Sequence, residues 1–540
     1  MTSEGGKIGR IVSVSGSQVI CLLEKTAEEP GVSTQVGPSL EVGAIVKIQA
    51  TQSVLFGMVS SVNIPVPAAD SAEDELRIAE IELLGEVVAS ESSSGFQRGV
   101  SFFPALGNDV YSATAEDLRE IYACPGVSTA CVGYLHQLET LPANVKTNDL
   151  LGKHFAVLGT TGSGKSCAVT VILKAILKEN PQARILLLDP HDEYGQAFED
   201  QAYLLDPAKN LDLPHWLFNF EELCEIVIDD DDLRSAQTAL LGEAIIASKL
   251  KLMSSQDKYP ITVDTPTPYW ISDVLGHLQK AQGQLTRSEP TTAYQRLVNR
   301  LKALSNDSRF SFMFGRSSGG DNMKEILCQL FRIPVDGKPI TITDLSGVPS
   351  EILNVVVSAL CRLALDFAMW NEQKLPILIV CEEAHRYAPQ AEGLGFEPTK
   401  RALSRIAKEG RKYGVSLCVV SQRPSDLATD LLSECNTIFA LRMTNQSDQD
   451  FIRATMADSG LGLLEFLPSL RAREAIAIGE GVPVPQRLTF NVLPADELPR
   501  SKTASFSEAW ANEVSNTDSV SAAIDRWRRR QKDGQIRRTA

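Results

Sequence analysis

The chain has 540 residues, which is too many for one hydrophobic core, because a folded domain usually holds about 100–200 residues. Apolar residues make up 43% and charged residues 22% of the chain, and this balance excludes a disordered or fibrous protein. The formal net charge of −16 weighs against a nucleic-acid partner, because phosphate binding needs clustered Lys and Arg. A ring-shaped protein can be acidic outside and basic in its channel, so net charge alone does not decide the question.

The ten cysteines are scattered singly, and no pair has the two-residue spacing of a zinc or redox site. We expect them to be reduced and mostly buried. The sequence has no run of about 18 apolar residues, and its first nine residues lack the apolar stretch of a signal peptide. These features predict a cytoplasmic protein.

The first 140 residues predict an N-terminal β-barrel. Short segments rich in Val and Ile alternate there with Gly, Ser and Pro, which is typical of consecutive short strands. The predicted strands are residues 8–14, 18–23, 45–50, 54–62 and 78–89.

Residues 141–495 show a different pattern, in which apolar strands alternate with helices. Such alternation predicts an α/β core with a mainly parallel sheet of at least six strands, covered on both faces. The first helix is expected at residues 165–178. The expected strands are residues 155–158, 185–188, 340–343, 377–381, 417–421 and 437–441.

Two further segments complete the predicted organisation. Residues 211–331 have mostly helical periodicity and predict a helical subdomain inserted into the core. Residues 496–540 lose apolar periodicity, and the span 526–538 carries seven Lys or Arg against one acidic residue. This basic end is either an arm that contacts DNA or braces a neighbouring subunit, or a solvated tail.

A complete nucleotide-binding P-loop follows the first core strand. It matches the pattern G-x-x-x-x-G-K-[ST] between a strand and a helix, so a RecA-like P-loop NTPase fold is expected and a chance glycine turn is disfavoured. Lys165 is expected to reach the β- and γ-phosphates of ATP, and the Ser166 hydroxyl to bind Mg²⁺. The predicted nucleotide-binding residues here are Gly159, Thr160, Thr161, Gly162, Ser163, Gly164, Lys165, Ser166 and Cys167.

Two adjacent carboxylates end another apolar strand. Neighbouring side chains at a strand end point in different directions, so one carboxylate can face the Mg²⁺ shell while the other polarises the attacking water. We assign Glu382 to the metal side and Glu383 to the general base. The alternative is a solvated strand end with no catalytic role.

Two more polar positions follow strands. Gln422 is placed to sense the γ-phosphate or orient water, or it merely caps its strand. Asp189 is counted with the nucleotide site because its strand is expected to lie beside the P-loop strand. The other reading of Asp189 is a cap on the following turn.

Residues 401–412 form a helix-like stretch with several basic side chains. If subunits pack in a ring, one arginine reaches the neighbour's γ-phosphate as a finger in trans. Arg411 and then Arg405 are the candidates. An exposed charged helix face is the alternative.

Together, these motifs resemble the HerA branch of the HerA/FtsK motor ATPases in order and spacing. The N-terminal segment also resembles the HAS-barrel of that family, so the likeness covers about residues 7–493. The segments that carry it are Thr160-Thr-Gly-Ser-Gly-Lys-Ser, Asp189-Pro-His-Asp-Glu-Tyr, Leu213-Pro-His-Trp-Leu-Phe-Asn-Phe, Glu382-Glu-Ala-His385, Gly410-Arg-Lys-Tyr-Gly and Ser421-Gln-Arg-Pro-Ser.

The resemblance implies a hexameric, ring-shaped translocase on double-stranded DNA that uses ATP and Mg²⁺. It also implies a nuclease partner, commonly NurA, in DNA end resection, or another effector in anti-phage defence. It supports the roles given above, with an arginine of the Gly410-Arg411-Lys412 stretch as the trans finger. Arg405 and Arg442 remain alternatives for the finger.

A second function stays open from the sequence. The chain is alternatively an ATP-binding oligomeric scaffold that assembles and activates a partner effector without substantial translocation. A transporter-type ATPase is disfavoured because no Leu-Ser-Gly-Gly-Gln signature precedes the acidic strand. A conjugation-type or secretion ATPase shares the same core and stays open as well.

Overall fold

The structure is a computed structural model of the 540-residue chain. It describes residues 6–24, 40–50, 52–65, 76–88, 95–228, 232–252, 260–283, 292–315, 320–391, 396–456 and 461–500, with scattered positions between 507 and 528. The chain divides into two compact units. The first comprises Met1–Asn180 and Cys418–Pro494, and the second Pro181–Leu417 and Ala495–Ala540.

Strands and helices are numbered in chain order. The strands are β1 (Lys7–Ser15), β2 (Gln18–Leu23), β3 (Ile45–Gln49), β4 (Ser53–Asn63), β5 (Ile78–Val88), β6 (Gln97–Arg98), β7 (Asp109–Ser112), β8 (Thr129–Leu135), β9 (Pro142–Lys146), β10 (Phe155–Leu158), β11 (Ile185–Asp189), β12 (Ala202–Leu205), β13 (Ile340–Asp344), β14 (Ile377–Cys381), β15 (Val415–Ser421), β16 (Thr437–Ala440), β17 (Glu474–Gly479) and β18 (Gln486–Phe490). The α-helices are α1 (Ala115–Ile121), α2 (Thr147–Gly152), α3 (Lys165–Glu179), α4 (Phe220–Val227), α5 (Arg234–Leu252), α6 (Ile271–Gly283), α7 (Thr292–Asn306), α8 (Ser311–Phe314), α9 (Met323–Leu330), α10 (Ser350–Trp370), α11 (Glu397–Tyr413), α12 (Thr429–Ser433) and α13 (Gln446–Thr455).

The first unit begins with the predicted β-barrel. Its six main strands lie in the order β2-β1-β7-β3-β4-β5, and pairing of β2 with β5 closes the barrel. Alternate side chains of these strands point inward and form one apolar core, as the period of two in a strand requires. This core contains Ile11, Val19, Cys21, Val46, Ile48, Leu55, Val59, Ala79, Ile81, Leu83 and Val110.

The barrel strands end earlier than the predicted boundary at residue 140. Strand β8 lies inside the predicted barrel segment, but it pairs with β9 and β18 in a second sheet. Its apolar composition matches that of the barrel strands, and composition does not specify which partner a strand takes.

The second sheet of the first unit carries the P-loop strand. Strands β15, β10 and β16 are parallel, and β17, β18, β8 and β9 continue the sheet in antiparallel pairings. All four residues of β10 are buried, which is expected for a central parallel strand.

The second unit is built on four parallel strands in the order β12-β13-β11-β14. Helices α4 to α9 all lie in the chain between β12 and β13, where the helical insertion was predicted. The α/β fold with a mainly parallel sheet, an inserted helical segment and an N-terminal barrel is thus confirmed.

One expectation about strand order is wrong. Strand β11, which ends in Asp189, pairs with β13 and β14, whereas the P-loop strand β10 pairs with β15 and β16. Consecutive strands in a doubly wound sheet are often separated by strands from later in the chain, so succession in sequence was a poor guide here.

Helix α10 passes a length and composition test for a membrane span, with a mean hydropathy of 1.8 in its most apolar window. Inside the fold 67% of that window is buried, as in the core helix of a globular domain. The ten cysteines are all free and six of them are buried, which agrees with the prediction of reduced, mostly buried thiols.

Gly479 offers a test of the second sheet. A Cβ atom added there would lie 1.9 Å from the Asn436 carbonyl oxygen, at a φ of +122°. We expect Gly479→Ala to lower the free energy of unfolding by about 3 kcal/mol or more, since both backbone strain and overlap oppose it. Urea denaturation followed by circular dichroism measures this change.

Gly126→Ala is the matched control. Gly126 has a φ of +72° with nothing within 4 Å of an added Cβ, so backbone strain alone should cost about 1–2 kcal/mol. Equal losses in the two variants would contradict the close approach at Gly479.

Candidate functional site

The P-loop has the shape of a phosphate cradle. It connects buried strand β10 to helix α3, which begins at Lys165. Gly162 and Gly164 have φ angles of +75° and +96°, and nothing lies within 4 Å of a Cβ added at either position. Glycine adopts these left-handed conformations at no steric cost, so the loop can turn its backbone N–H groups toward an anion at the helix N-terminus.

Two polar side chains of the loop are buried. Lys165 is only 8% exposed, and its ammonium donates to the Thr160 carbonyl oxygen at 3.3 Å. The Ser163 hydroxyl oxygen is buried and has no hydrogen-bond partner within the described ranges. Buried polar atoms normally have a partner, so this cradle fits a ligand rich in oxygen acceptors, such as a phosphate chain.

The ends of both neighbouring strands hold the loop. The Gly159 N–H donates to the Ser421 carbonyl at 3.3 Å, at the end of β15. The Thr160 N–H and hydroxyl both donate to the Arg442 carbonyl, at 3.1 and 3.0 Å, just beyond β16. The Thr161 hydroxyl donates to the Gln422 side-chain carbonyl, so Gln422 contacts the P-loop.

The acidic strand end lies in the second unit and is buried. Glu382 and Glu383, which follow β14, are 6% and 5% exposed. The alternative of a solvated strand end is therefore not what the structure contains. Glu383 has a φ of +53°, a conformation that is rare outside glycine and concentrated at functional sites. His385 Nδ1 lies 3.3 Å from Glu383 Oε2.

Sequence reasoning missed the contact made by Tyr194. Its fully buried hydroxyl donates to Glu382 Oε1. The parallel register of β11 with β14, in which Leu188 pairs with Cys381, brings the segment after β11 toward Glu382. Both motifs were visible in the sequence, but the bond between them depends on this strand pairing.

Asp189 caps the turn that follows β11. Its carboxylate accepts backbone N–H groups from His191 at 3.1 Å, Glu193 at 2.8 Å and Tyr194 at 3.0 Å. This geometry matches the capping alternative for Asp189. Burial raises its pKa to about 7, with further increases from Asp344 and Glu193, although the backbone hydrogen bonds act in the opposite direction.

The candidate arginines lie on helix α11 and differ in their contacts. Arg405 is exposed and pairs with Glu409 at 3.4 Å. Arg411 is exposed, and no ion pair to it is found within the described ranges. Gly410 lets helix α11 lie close to the start of β15, because a Cβ added to Gly410 would lie 2.6 Å from the Val415 carbonyl oxygen. The helix ends at Gly414 in the left-handed conformation.

The remaining family-like segment, residues 213–220, lies in the helical insertion. His215 and Trp216 are each 2% exposed, and the two ring nitrogens of His215 lie 3.2 and 3.0 Å from the carbonyl oxygens of Met313 and Tyr269. These contacts give the segment a packing role. No cluster of three or more His, Cys, Asp or Glu that could hold a metal ion occurs among the residues the structure describes.

The parallel sheets, the P-loop cradle and the buried acidic strand end define a RecA-like P-loop NTPase. Residues 130–364 match the family model described as "Helicase HerA, central domain". With its N-terminal barrel, the chain is similar to HerA-like ATPases, and these features support an enzyme of the ATPase and helicase type.

Known proteins support this assignment over most of the chain. A probable helicase of Methanocaldococcus jannaschii is 26% identical over 88% of this chain and 91% of its own length. The DNA double-strand break repair helicase HerA of Pyrococcus furiosus is 26% identical over 76% of this chain and 77% of its own length. VirB4 of Thermoanaerobacter pseudethanolicus shares the fold, with a TM-score of 0.51 and 14% identity over 68% of this chain and 98% of VirB4.

Asp189 gives a pH-dependent prediction. Its pKa is about 7 in the folded protein and about 4 in an unfolded chain, so the folded state binds more protons between these values. The free energy of unfolding therefore falls as the pH rises from about 4 to about 7. We expect the melting temperature of Asp189→Asn to fall less than that of wild type between about pH 5 and about pH 8.

Asp200→Asn, at an exposed position on the same connection, controls for the loss of a carboxylate. It should keep the wild-type pH dependence. An identical slope in wild type and Asp189→Asn would show that Asp189 is ionised throughout this range.

Proposed function

We propose that the chain is an ATP-driven translocase or helicase on double-stranded DNA, and that it works as a ring in which neighbouring subunits share composite nucleotide sites. The P-loop cradle carries the ATP part of this proposal, because Lys165 is buried in it and Gln422 is bound to it. The DNA part is supported by the relatives named as DNA double-strand break repair helicases. A nuclease or other effector partner, DNA end processing or anti-phage defence, and a cytoplasmic location complete the proposal.

The proposed reaction is hydrolysis of ATP to ADP and phosphate. Water attacks the γ-phosphorus, the bond to the β–γ bridging oxygen breaks, and Glu383 accepts the proton of the water. Lys165 binds the β- and γ-phosphates, and Gln422 contacts the γ-phosphate or the water. Ser166 and Glu382 would hold Mg²⁺, and the ion would neutralise the charge that develops on the phosphate oxygens.

The assignment of these residues to one reaction rests on the family resemblance and on the burial, hydrogen bonds and backbone conformation of Glu382 and Glu383. Glu382 and Glu383 are buried, and the Tyr194 hydroxyl orients Glu382. A buried carboxylate with a fixed donor keeps one geometry, which a metal ligand needs. A strained backbone at Glu383 is consistent with a functional position.

The proposed DNA contact is an exposed basic face of helix α11. Arg401, Lys408 and Lys412 are exposed there, and Arg401 also pairs with Glu221. A ring of copies would repeat this face around a channel, where sequence-independent phosphate contacts are made. Such a local basic surface is compatible with the net charge of −16.

Lys165→Ala tests the motor activity. The variant should lose ATP hydrolysis by at least about 100-fold, because the β- and γ-phosphates lose their main cationic contact. Lys178→Ala removes an exposed lysine near the other end of the same helix and should keep wild-type activity. A coupled phosphate-release assay measures both variants with and without duplex DNA.

For wild type, duplex DNA should stimulate hydrolysis, and DNA binding should weaken steeply as salt rises. The absence of both effects would contradict the translocase. If Lys165→Ala still supported full activity of the partner effector, the scaffold function would replace the motor.

A subunit-mixing experiment tests the trans finger and the ring together. Arg411→Ala should bind ATP but fail to hydrolyse it, since the developing charge on the γ-phosphate is not stabilised. Mixed with Lys165→Ala in equal amounts, it should regain about a quarter of wild-type activity. At random, about one site in four pairs an intact P-loop with an intact neighbouring arginine.

Arg405→Ala is the matched control on the same helix and should remain active. If Arg405→Ala alone were inactive and regained activity when mixed with Lys165→Ala, the finger would instead be Arg405. If no mixture regains activity, the arginine acts in cis or the subunits form no shared site.

A further inference from the structure

Two loops of the first unit hold the P-loop. The first, residues 422–426, follows β15 and binds Thr161 through Gln422. The second, residues 441–445, follows β16 and binds Thr160 through the Arg442 carbonyl. We call them the β15 loop and the β16 loop.

A single carboxylate joins these two loops. Asp448 Oδ1 accepts the N–H of Ser425 at 3.0 Å and its hydroxyl at 2.7 Å. Asp448 Oδ2 accepts the side-chain amide of Asn445 at 3.0 Å. One oxygen therefore binds the β15 loop, and the other binds the β16 loop.

The surroundings of Asp448 keep this link rigid. Asp448 and its neighbour Gln449 are each 4% exposed. The Gln449 side-chain amide donates to the Met443 carbonyl at 3.1 Å, which adds a second bond from helix α13 to the β16 loop. Hydrogen bonds to a buried carboxylate are stronger than neutral ones and costly to remove.

We propose that Asp448 is a positioning residue for ATP hydrolysis, which joins the β15 and β16 loops and thereby fixes Gln422 relative to the P-loop. The inference rests on the proposed role of Gln422 at the γ-phosphate. Asp448 itself is three residues beyond the β16 loop residue Asn445 and acts through Ser425. Its loss would free the β15 loop while the P-loop keeps its own bonds at Gly159 and Thr160.

A purely structural role for Asp448 has a different signature. Asp448 lies in the first turn of α13, whose N-terminus is capped by Asn445 through the Ser447 N–H at 3.2 Å. A carboxylate there also stabilises the helix N-terminus. If this were its whole role, substitution would lower the melting temperature and leave kcat per folded molecule unchanged.

Asp448→Ala should lower kcat for ATP hydrolysis by about tenfold, because small displacements of a positioned group have large effects on rate. KM should change by less than about twofold, since the phosphate cradle is intact. Asp448→Asn keeps one oxygen for both Ser425 donors but loses the acceptor of the Asn445 amide, so its kcat should fall less than that of Asp448→Ala. Steady-state kinetics without DNA, with circular dichroism melts of each variant, measure these effects.

Two further variants complete the test. Ser425→Ala removes only the hydroxyl donor and should lower kcat by about two- to fivefold; it decides the question if Asp448→Ala does not fold. Asp450→Ala is the control, because Asp450 is exposed on the same helix and accepts a hydrogen bond from the Gln446 side chain at 2.8 Å. It should leave kcat and KM unchanged.

Wild-type kcat in both Asp448→Ala and Ser425→Ala would overturn the proposal, as would a rise in KM with kcat unchanged. Equal loss in Asp448→Asn and Asp448→Ala would overturn it too, because the retained oxygen would then have no effect. The assay contains no DNA, so a failure of the translocase proposal leaves the result interpretable.

Discussion

The nucleotide loop of this protein depends on backbone carbonyls outside the loop itself. Glycines at 162 and 164 give the P-loop its left-handed turns, but glycine contributes no side chain that could hold that shape. The two hydrogen bonds from Thr160 to the Arg442 carbonyl supply the anchor. Arg442 occupies its place because β16 pairs with β10 in a fixed parallel register, so the sheet sets the geometry of the cradle.

In the second unit, the main constraint is that several acidic side chains are buried. Asp189, Glu382 and Glu383 are all less than 9% exposed. A buried carboxylate is unfavourable unless donors surround it. Three backbone N–H groups serve Asp189 and the Tyr194 hydroxyl serves Glu382. Buried acids at the carboxyl ends of parallel strands are typical of functional sites, and their burial lowers the stability of the fold.

Local sequence patterns predicted the parts of the fold that depend on local chemistry. The P-loop, helix α3 and the buried strand before Glu382 follow from motif and periodicity, since each is specified within about 20 residues. Strand pairing could not be predicted from local sequence, because β8 and β11 resemble many strands in composition and their partners lie elsewhere in the chain. The contacts of Tyr194 with Glu382 and of Asp448 with Ser425 depend on such pairings, so no local signal pointed to them.

In the first unit, a short series of contacts connects Arg442, which anchors the P-loop, to the barrel. Met443, the residue after Arg442, donates its N–H to the Leu467 carbonyl at 3.1 Å. Leu467 belongs to the 3₁₀ segment Leu461–Ser469, which packs against barrel strand β4. At Gly462 this contact leaves no room for a side chain, because an added Cβ would lie 2.9 Å from Ser60 Cβ. Contiguity alone is not coupling, but it means that a shift of the β16 loop on nucleotide binding would act directly on the segment that supports the barrel.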